Sequence, residues 1–378
     1  MTNSPFIQER IAAARIMVVG CGALGNEVLK NLVLMGAEHL VVVDFDRVES
    51  GNLSRSVLFT KEDALQGRYK VDVVARRLQE MNPGMTIRTI RGDIAFDIGL
   101  GLVRQMDVVI GCVDNRWARY CINRLCMRAG VPWVDGGIDA LEGTVRVFIP
   151  GRNCYACNLG PEGLKDLARR MPCSGVIRRE EAAGKAPTTS VIASVIGAVQ
   201  VQEALKLLHP ELLDSGAMTS LCGRMFYYEG AQMTGKVVDF QAYDADCPVH
   251  ERWEPVKKTS VTEAMPVGEA LALLRKELQA EKVTLHLTDD CFVDYVIRQD
   301  NDARTEVMLP GRAVAAFVNQ DKALGGMPFS GLYQHEFREI GEDFPYPSLP
   351  LSALGIPSQA VLSVTADSGD YYMEMVWI

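Results

Sequence analysis

The chain has 378 residues, 48% of them hydrophobic and 23% charged, a balance that excludes a disordered chain and leaves room for two domains or one large domain with an appendage. A formal net charge of −9 argues against nucleic acid as a broad partner, because phosphate backbones call for a basic face. Nowhere do about 18 apolar residues run uninterrupted, and Glu9, Arg10 and Arg15 break up the apolar start, so neither a membrane partner nor a signal peptide is expected.

Ten cysteines without a secretory leader point to a reducing, cytoplasmic setting, where they act as core thiols, metal ligands or nucleophiles rather than disulfides. The first predicted strand, Ile16 to Val19, runs into Gly20-Cys21-Gly22-Ala23-Leu24-Gly25. Glycines at this spacing permit a tight strand-to-helix turn whose free amides face a phosphate. The turn by itself also suits a dinucleotide-dependent oxidoreductase. A helix over Asn26 to Met35 follows, with Val28, Leu29, Leu32 and Val33 on its buried side. The next strand, His39 to Val43, is continuously apolar, as a strand covered on both faces should be. It ends in Asp44-Phe45-Asp46, about 20 residues past the glycines, where a carboxylate can hold a ribose hydroxyl.

Val48 to Arg55 contains Asn52-Leu53-Ser54-Arg55, and Gly67-Arg68-Tyr69-Lys70 follows, with Lys70 opening a helix. This order of motifs resembles the adenylating domain of the ThiF and MoeB proteins and of ubiquitin-activating enzymes. The resemblance implies a Rossmann-like, mostly parallel α/β sheet that binds ATP through Gly20, Gly22, Ala23, Leu24, Gly25, Asp44, Asp46, Asn52, Arg55, Lys70, Asp114 and Asn115. Arg55 and Lys70 would stabilise the charge that gathers on a triphosphate under attack. A strand over Met106 to Val113 ends in Asp114-Asn115. The family places that aspartate beside Mg²⁺, a hard cation that prefers carboxylate oxygen; an isolated aspartate here would equally cap the next helix, Trp117 to Met127. Cys21, Cys112, Cys121 and Cys126 read as core thiols. Val131 to Asp135 and Thr144 to Ile149 extend the sheet.

Cys154-Tyr155-Ala156-Cys157 and Cys247-Pro248-Val249-His250 form two closely spaced pairs of soft or borderline ligands, a set that suits structural Zn²⁺. A redox dithiol at Cys154 and Cys157 is the alternative. The family usually has a fourth cysteine where this chain has His250. Between the pairs, in a loop of about 158–187, lies Cys173, where the family keeps the thiol that receives the activated acyl group; Arg169, Arg170, Arg178 and Arg179 could favour its thiolate. Thr188 to Leu208 is a helix apolar nearly all round, for burial in a core or against a second copy, and the family pairs through it. Strands over Gly223 to Glu229 and Gly235 to Gln241 return to the metal clip.

The composition shifts around Glu254 to Thr259, where a linker divides an adenylation domain (1–256) from a second domain (257–378). The second domain has a helix over Val267 to Gln279, a strand over Lys282 to Thr288, a helical turn from Pro350 to Ile356, and a final strand pair, Ala360 to Thr365 and Tyr371 to Ile378. The turn and hairpin resemble the end of the β-grasp, ubiquitin-fold domain of heterodimeric activating enzymes, which implies a small α+β unit that recruits a ubiquitin-conjugating enzyme. Together the resemblances imply adenylation of a ubiquitin-like protein's C-terminal carboxylate, a thioester on Cys173 and transfer to the conjugating enzyme. A sulfur-carrier adenylyltransferase of the MoeB/ThiF type is the alternative, and an NAD-dependent oxidoreductase the more distant one. A homodimer is expected. The family's Arg-Tyr-x-Arg-Gln segment, which crosses to the partner's site, has no match near Met1-Thr2-Asn3-Ser4; Arg10 is the nearest substitute, which keeps a heterodimer open.

Overall fold

A computed structural model describes residues 5–376 apart from 161, 164–166, 168–187, 240–242, 289 and 322–323. They divide into two compact units, one from residues 5–95, 103–160 and 188–252, the other chiefly from 96–102 and 253–376.

The first unit runs α1 (Gln8–Ala13), β1 (Arg15–Val19), α2 (Ala23–Leu34), β2 (His39–Val43), α3 (Lys61–Leu65), α4 (Lys70–Met81), β3 (Thr86–Ile90), α5 (Leu100–Val103, of which 100–102 belong to the second unit), β4 (Val108–Gly111), α6 (Arg116–Ala129), β5 (Trp133–Asp139), β6 (Glu142–Phe148), α7 (Ser190–Leu207), α8 (Pro210–Asp214), β7 (Arg224–Glu229) and β8 (Thr234–Asp239). Its eight-stranded sheet has the order β3-β2-β1-β4-β5-β6-β7-β8. The five strands from β3 to β5 are parallel and the last three antiparallel. β1 and β2 each bury four of their five residues, which is why both read as unbroken apolar runs. Val28, Leu29, Leu32 and Val33 of α2 are all buried. The helix starts at Ala23 rather than Asn26, since Gly22 already has the extended conformation of a cap.

α7 is long and apolar enough to cross a membrane by length and composition alone, yet half of it is buried. It packs on α2, β5 and β6, with Ile192, Ile196, Val201 and Leu205 in the core. Beyond it, His209 Nε2 accepts the Ile7 amide at 2.9 Å, and Nδ1 meets the Leu205 carbonyl at 2.7 Å. Arg10 donates to both carboxylate oxygens of Glu211 at 2.7 Å and to the Leu208 carbonyl. The residue nearest in place to a crossing arginine is thus engaged within its own chain.

The second unit runs β9 (Val256–Thr259), α9 (Val267–Leu278), β10 (Val283–His286), β11 (Phe292–Arg298), β12 (Arg304–Pro310), α10 (Gly311–Gln320), β13 (Leu332–Phe337), β14 (Glu339–Ile340), β15 (Val361–Ala366) and β16 (Gly369–Met375). The stretch expected to be a linker is a strand: β9 pairs in parallel with β16, which satisfies backbone groups that a free linker would leave to water. The five-stranded sheet has the order β14-β10-β15-β16-β9. The expected helical turn, Leu351–Leu354, precedes the β15–β16 hairpin. The unit departs from the simple β-grasp-like expectation in a second sheet, β12-β11-β13, which carries α10 and lies in sequence between β10 and β14.

Candidate functional site

The sheet reverses its winding between β1 and β4, the place where open α/β sheets bind ligands. Val19 is level with Val43 on one side and Gly111 on the other, so the residues just past these strand ends share one rim. Gly20 turns there with φ +97°, and a Cβ on it would stand 2.5 Å from the Cys112 carbonyl oxygen. Only glycine fits that left-handed, crowded position. The N-terminus of α2 has no side-chain cap, which leaves its first amides for a ligand. Asn26, fully buried, fixes the turn: its Nδ2 donates to the carbonyls of Cys21 (2.8 Å) and Gly22 (3.0 Å), and its Oδ1 accepts the Leu58 amide at 2.9 Å. That last bond ties the Asn52–Leu58 segment to the glycine turn.

Asp44 accepts the Cys21 amide at 2.6 Å and the Asp46 amide at 2.7 Å. Burial pushes its pKa up, against the pull of Lys70 and those two amides. Lys70, the first residue of α4, is buried and donates to Asp46 Oδ2 at 2.8 Å. Burial alone would lower its pKa, but the Asp44 charge and the Asp46 contact outweigh it and hold it above the ordinary lysine value, so Lys70 stays a cation at this rim. Asn52 spends its Oδ1 on the Glu49 amide in a tight turn. Arg55 is half-buried, and its guanidinium has no hydrogen bond or ion pair among the described residues.

Asp114 is exposed three residues past β4, with Asn115 Nδ2 3.3 Å from its Oδ1. Asn115 itself caps α6, accepting the Ala118 amide at 2.8 Å. The structure therefore joins Lys70, Asp44, Asp46 and the glycine turn by direct bonds; Asp114 and Asn115 lie at the neighbouring strand end, and Arg55 lies within the tied segment. Sequence reasoning missed Asn26 and the cluster beside Asp114. Arg119, one turn into α6, donates to the Val113 carbonyl (2.7 Å), the Gly136 carbonyl (3.1 Å) and Asp135 (2.9 Å). Arg146 takes the other Asp135 oxygen. Burial would raise the pKa of Asp135, but the two guanidinium groups hold it below the usual carboxylate value. Arg119 lies five residues after Asp114, a spacing that could have drawn attention to it.

Cys154, Cys157, Cys247 and His250 offer ligand atoms all within 4.8 Å of one another. The sulfur separations are 3.8 Å for Cys154–Cys247 and 3.6 Å for Cys154–Cys157, and Cys157 Sγ lies 3.2 Å from His250 Nε2. A tetrahedral zinc with Zn–S bonds of about 2.3 Å has sulfur–sulfur edges of about 3.8 Å, so the set fits. Among these thiols Cys154 is the one favoured as thiolate, pulled down to about 5 chiefly by its bond with Cys247. The metal would join the 154–157 turn to residues 247–250, and its role would be structural, since all four positions are protein ligands. Cys21, Cys112 and Cys126 are buried, and desolvation raises each thiol; with buried Cys121 they are core thiols. Cys173 lies outside the described residues, as do its neighbouring arginines.

The sequence profile of the ThiF family matches residues 3–249. The SAMP-activating enzyme E1 of Haloferax volcanii is 32% identical over 242 residues, covering 64% of this chain and 82% of that protein. The sulfur carrier protein adenylyltransferase of Thermus thermophilus is 32% identical over 248 residues, 64% of this chain and 84% of that protein. Among solved structures, E. coli MccB with succinimide aligns at a TM-score of 0.51 and 21% identity, over 64% of this chain and 67% of that one, a likeness of fold.

Proposed function

The chain belongs to the ThiF family, and from that premise we propose that it adenylates the C-terminal carboxylate of a small sulfur-carrier protein of ubiquitin-like fold. The observation that carries this is Lys70, a buried cation bonded to Asp46 and paired electrostatically with Asp44 at the rim of the glycine turn. A hydride-transfer site has no need of it. In this reading the α2 amides hold phosphate, Asp44 holds the ribose, and Asp114 would hold Mg²⁺, whose charge offsets that of the triphosphate. The carrier's carboxylate attacks the α-phosphorus and pyrophosphate leaves. Lys70 and the guanidinium of Arg55 stabilise the negative charge at that step. The acyl adenylate then passes to a sulfur donor. The Thermus thermophilus relative, named for sulfur-carrier adenylation, supports this acceptor.

The second reading keeps a thioester on Cys173 and a conjugating enzyme recruited by residues 257–378. It is supported by the Haloferax volcanii relative, named an activating enzyme E1, and by the turn and closing hairpin of the second unit. A homodimer joined through α7 belongs to either reading, supported by the exposure of Val191 on that helix.

The test is ATP–pyrophosphate exchange with candidate carrier proteins. Wild-type chain should exchange, and Lys70→Ala should lose about 10²–10³-fold, the scale of removing one preorganised transition-state donor. No exchange by the wild type, or full exchange by the variant, would overturn the proposal. A thiol-sensitive carrier adduct lost in Cys173→Ala, with exchange retained, would favour the second reading.

A further inference from the structure

The second unit carries a polar cluster that the glycine-turn chemistry leaves unused. Asp294 is buried in the middle of β11, where a carboxylate is costly unless its oxygens are occupied. They are: Oδ1 lies 2.9 Å from His335 Nδ1 and accepts the Tyr295 amide at 2.8 Å, and Oδ2 accepts the Tyr346 hydroxyl at 3.0 Å. The register of β11 shifts between Val293 and Tyr295 against both β12 and β13. The irregularity therefore falls on Asp294, and such bulges re-aim single side chains beside functional sites.

The His335 ring is held on two further sides. It stacks on Tyr295 with centroids 4.8 Å apart and planes 4° from parallel, and it meets Phe337 edge-on at 5.0 Å. Arg304 lies 3.3 Å over the Tyr295 ring, and Glu306 is the register partner of Tyr295 on β12. Among the described residues, the charged and titratable groups around the imidazole thus include Asp294, Tyr295, Tyr346, Arg304 and Glu306. With Asp294 accepting from Nδ1, the neutral ring keeps its lone pair on Nε2. That nitrogen has no partner among the described residues, and the side chain is 41% exposed. This is an oriented imidazole base to which no nucleophile is bonded among the described residues.

We propose that His335, positioned by Asp294, is the base of a second site that activates the thiol of an incoming molecule for acyl transfer. A thiol fits better than a hydroxyl, because its pKa of about 8.5 makes it by far the easier of the two for a neutral imidazole to deprotonate. In the step, the S–H proton moves to Nε2 and the thiolate attacks an activated acyl carbon. A C–S bond forms, the C–O bond to the leaving group breaks, and the proton returns from Nε2 to the leaving group or to solvent. The buried carboxylate stabilises the imidazolium meanwhile. The site stands on residues of the second unit alone and is independent of the adenylation reading.

The full chain is mixed with p-nitrophenyl acetate and a range of glutathione concentrations, and S-acetylglutathione is quantified by mass spectrometry. Wild-type chain should accelerate its formation. His335→Gln should reduce the accelerated rate about 100-fold or more, the low end of what a positioned base supplies. Gln at this half-exposed position keeps a polar side chain of similar length but no base, which makes it the decisive variant. Asp294→Asn should keep the imidazole but lower kcat, with KM for glutathione unchanged. A wild-type rate no faster than the uncatalysed one, or a His335→Gln rate equal to wild type, overturns the proposal.

Discussion

Two glycines of the turn make opposite predictions. A Cβ on Gly25 would run into the Gly20 carbonyl oxygen, and it would also stand 3.6 Å from Cys112 Cβ. The first of these neighbours is backbone in a turn that cannot swing aside. Overpacking of this kind costs about 1–3 kcal/mol, offset by up to about 1 kcal/mol from replacing glycine by alanine in a helix. Contact against backbone puts Gly25→Ala at the upper end, a net loss of about 2 kcal/mol and a fall in Tm of about 4–8 °C. Gly22 has φ −71° and open space around its would-be Cβ. Gly22→Ala should lose only about 0.5–1 kcal/mol as a poorer cap. Its methyl, however, would stand on the open side of the turn and weaken an amide's bond to phosphate. A hydrogen bond to a charged group contributes about 1.5–3 kcal/mol, so ATP should bind about 10- to 150-fold more weakly. Scanning fluorimetry reads the first quantity and titration calorimetry with ATP and Mg²⁺ the second. If Gly22→Ala unfolds as early as Gly25→Ala while binding ATP like the wild type, the assignment of the open side of the turn to phosphate is refuted.

The metal clip predicts about one zinc per chain by elemental analysis; Cys157→Ser should lose it and lower Tm, as should a strong chelator, because binding free energy at such a site is folding free energy. Equal metal content in wild type and variant would refute the ligand set. Asp63, the N3 residue of α3, gives a pH dependence. Burial would raise its pKa, but the Thr60 hydroxyl, Arg76 and Arg68 outweigh it and hold the carboxyl well below the usual carboxylate range. A folded-state pKa depressed in this way contributes stability that is complete above the unfolded value of about 3.9 and is lost as pH falls below it. Asp63→Asn should therefore lower Tm at pH 7 and flatten its decline between about pH 4 and pH 2; an unchanged acid limb would count against this pairing.

Much of the rim was readable because local chemistry writes it. The glycine spacing, the carboxylates after β2, and Lys70 at the start of a helix are each short-range consequences of turn and strand geometry. The two ligand pairs were also visible, because each lies within four consecutive residues. The linker expected at Glu254 to Thr259 was misread because Val256–Thr259 gains its strand from pairing with β16, more than 100 residues away. The β12-β11-β13 sheet went unseen for a related reason: an aspartate in the middle of a strand and polar residues along β13 spoil the alternation by which strands are recognised.

The core of the first unit and its α/β class are legible in the order of residues alone, because apolar period and glycine placement are properties of neighbouring residues. The same order sets which side chains could hold phosphate, metal or ribose. Which of them meet depends on the packing of segments far apart in the chain. Lys70 reaches Asp46 across 24 residues, Asn26 locks a segment 32 residues on, Cys154 comes beside Cys247, and Asp294 orients His335 from another strand. Those partnerships follow from strand order and register, which arise when distant segments bury their apolar faces together, and no local pattern encodes the outcome.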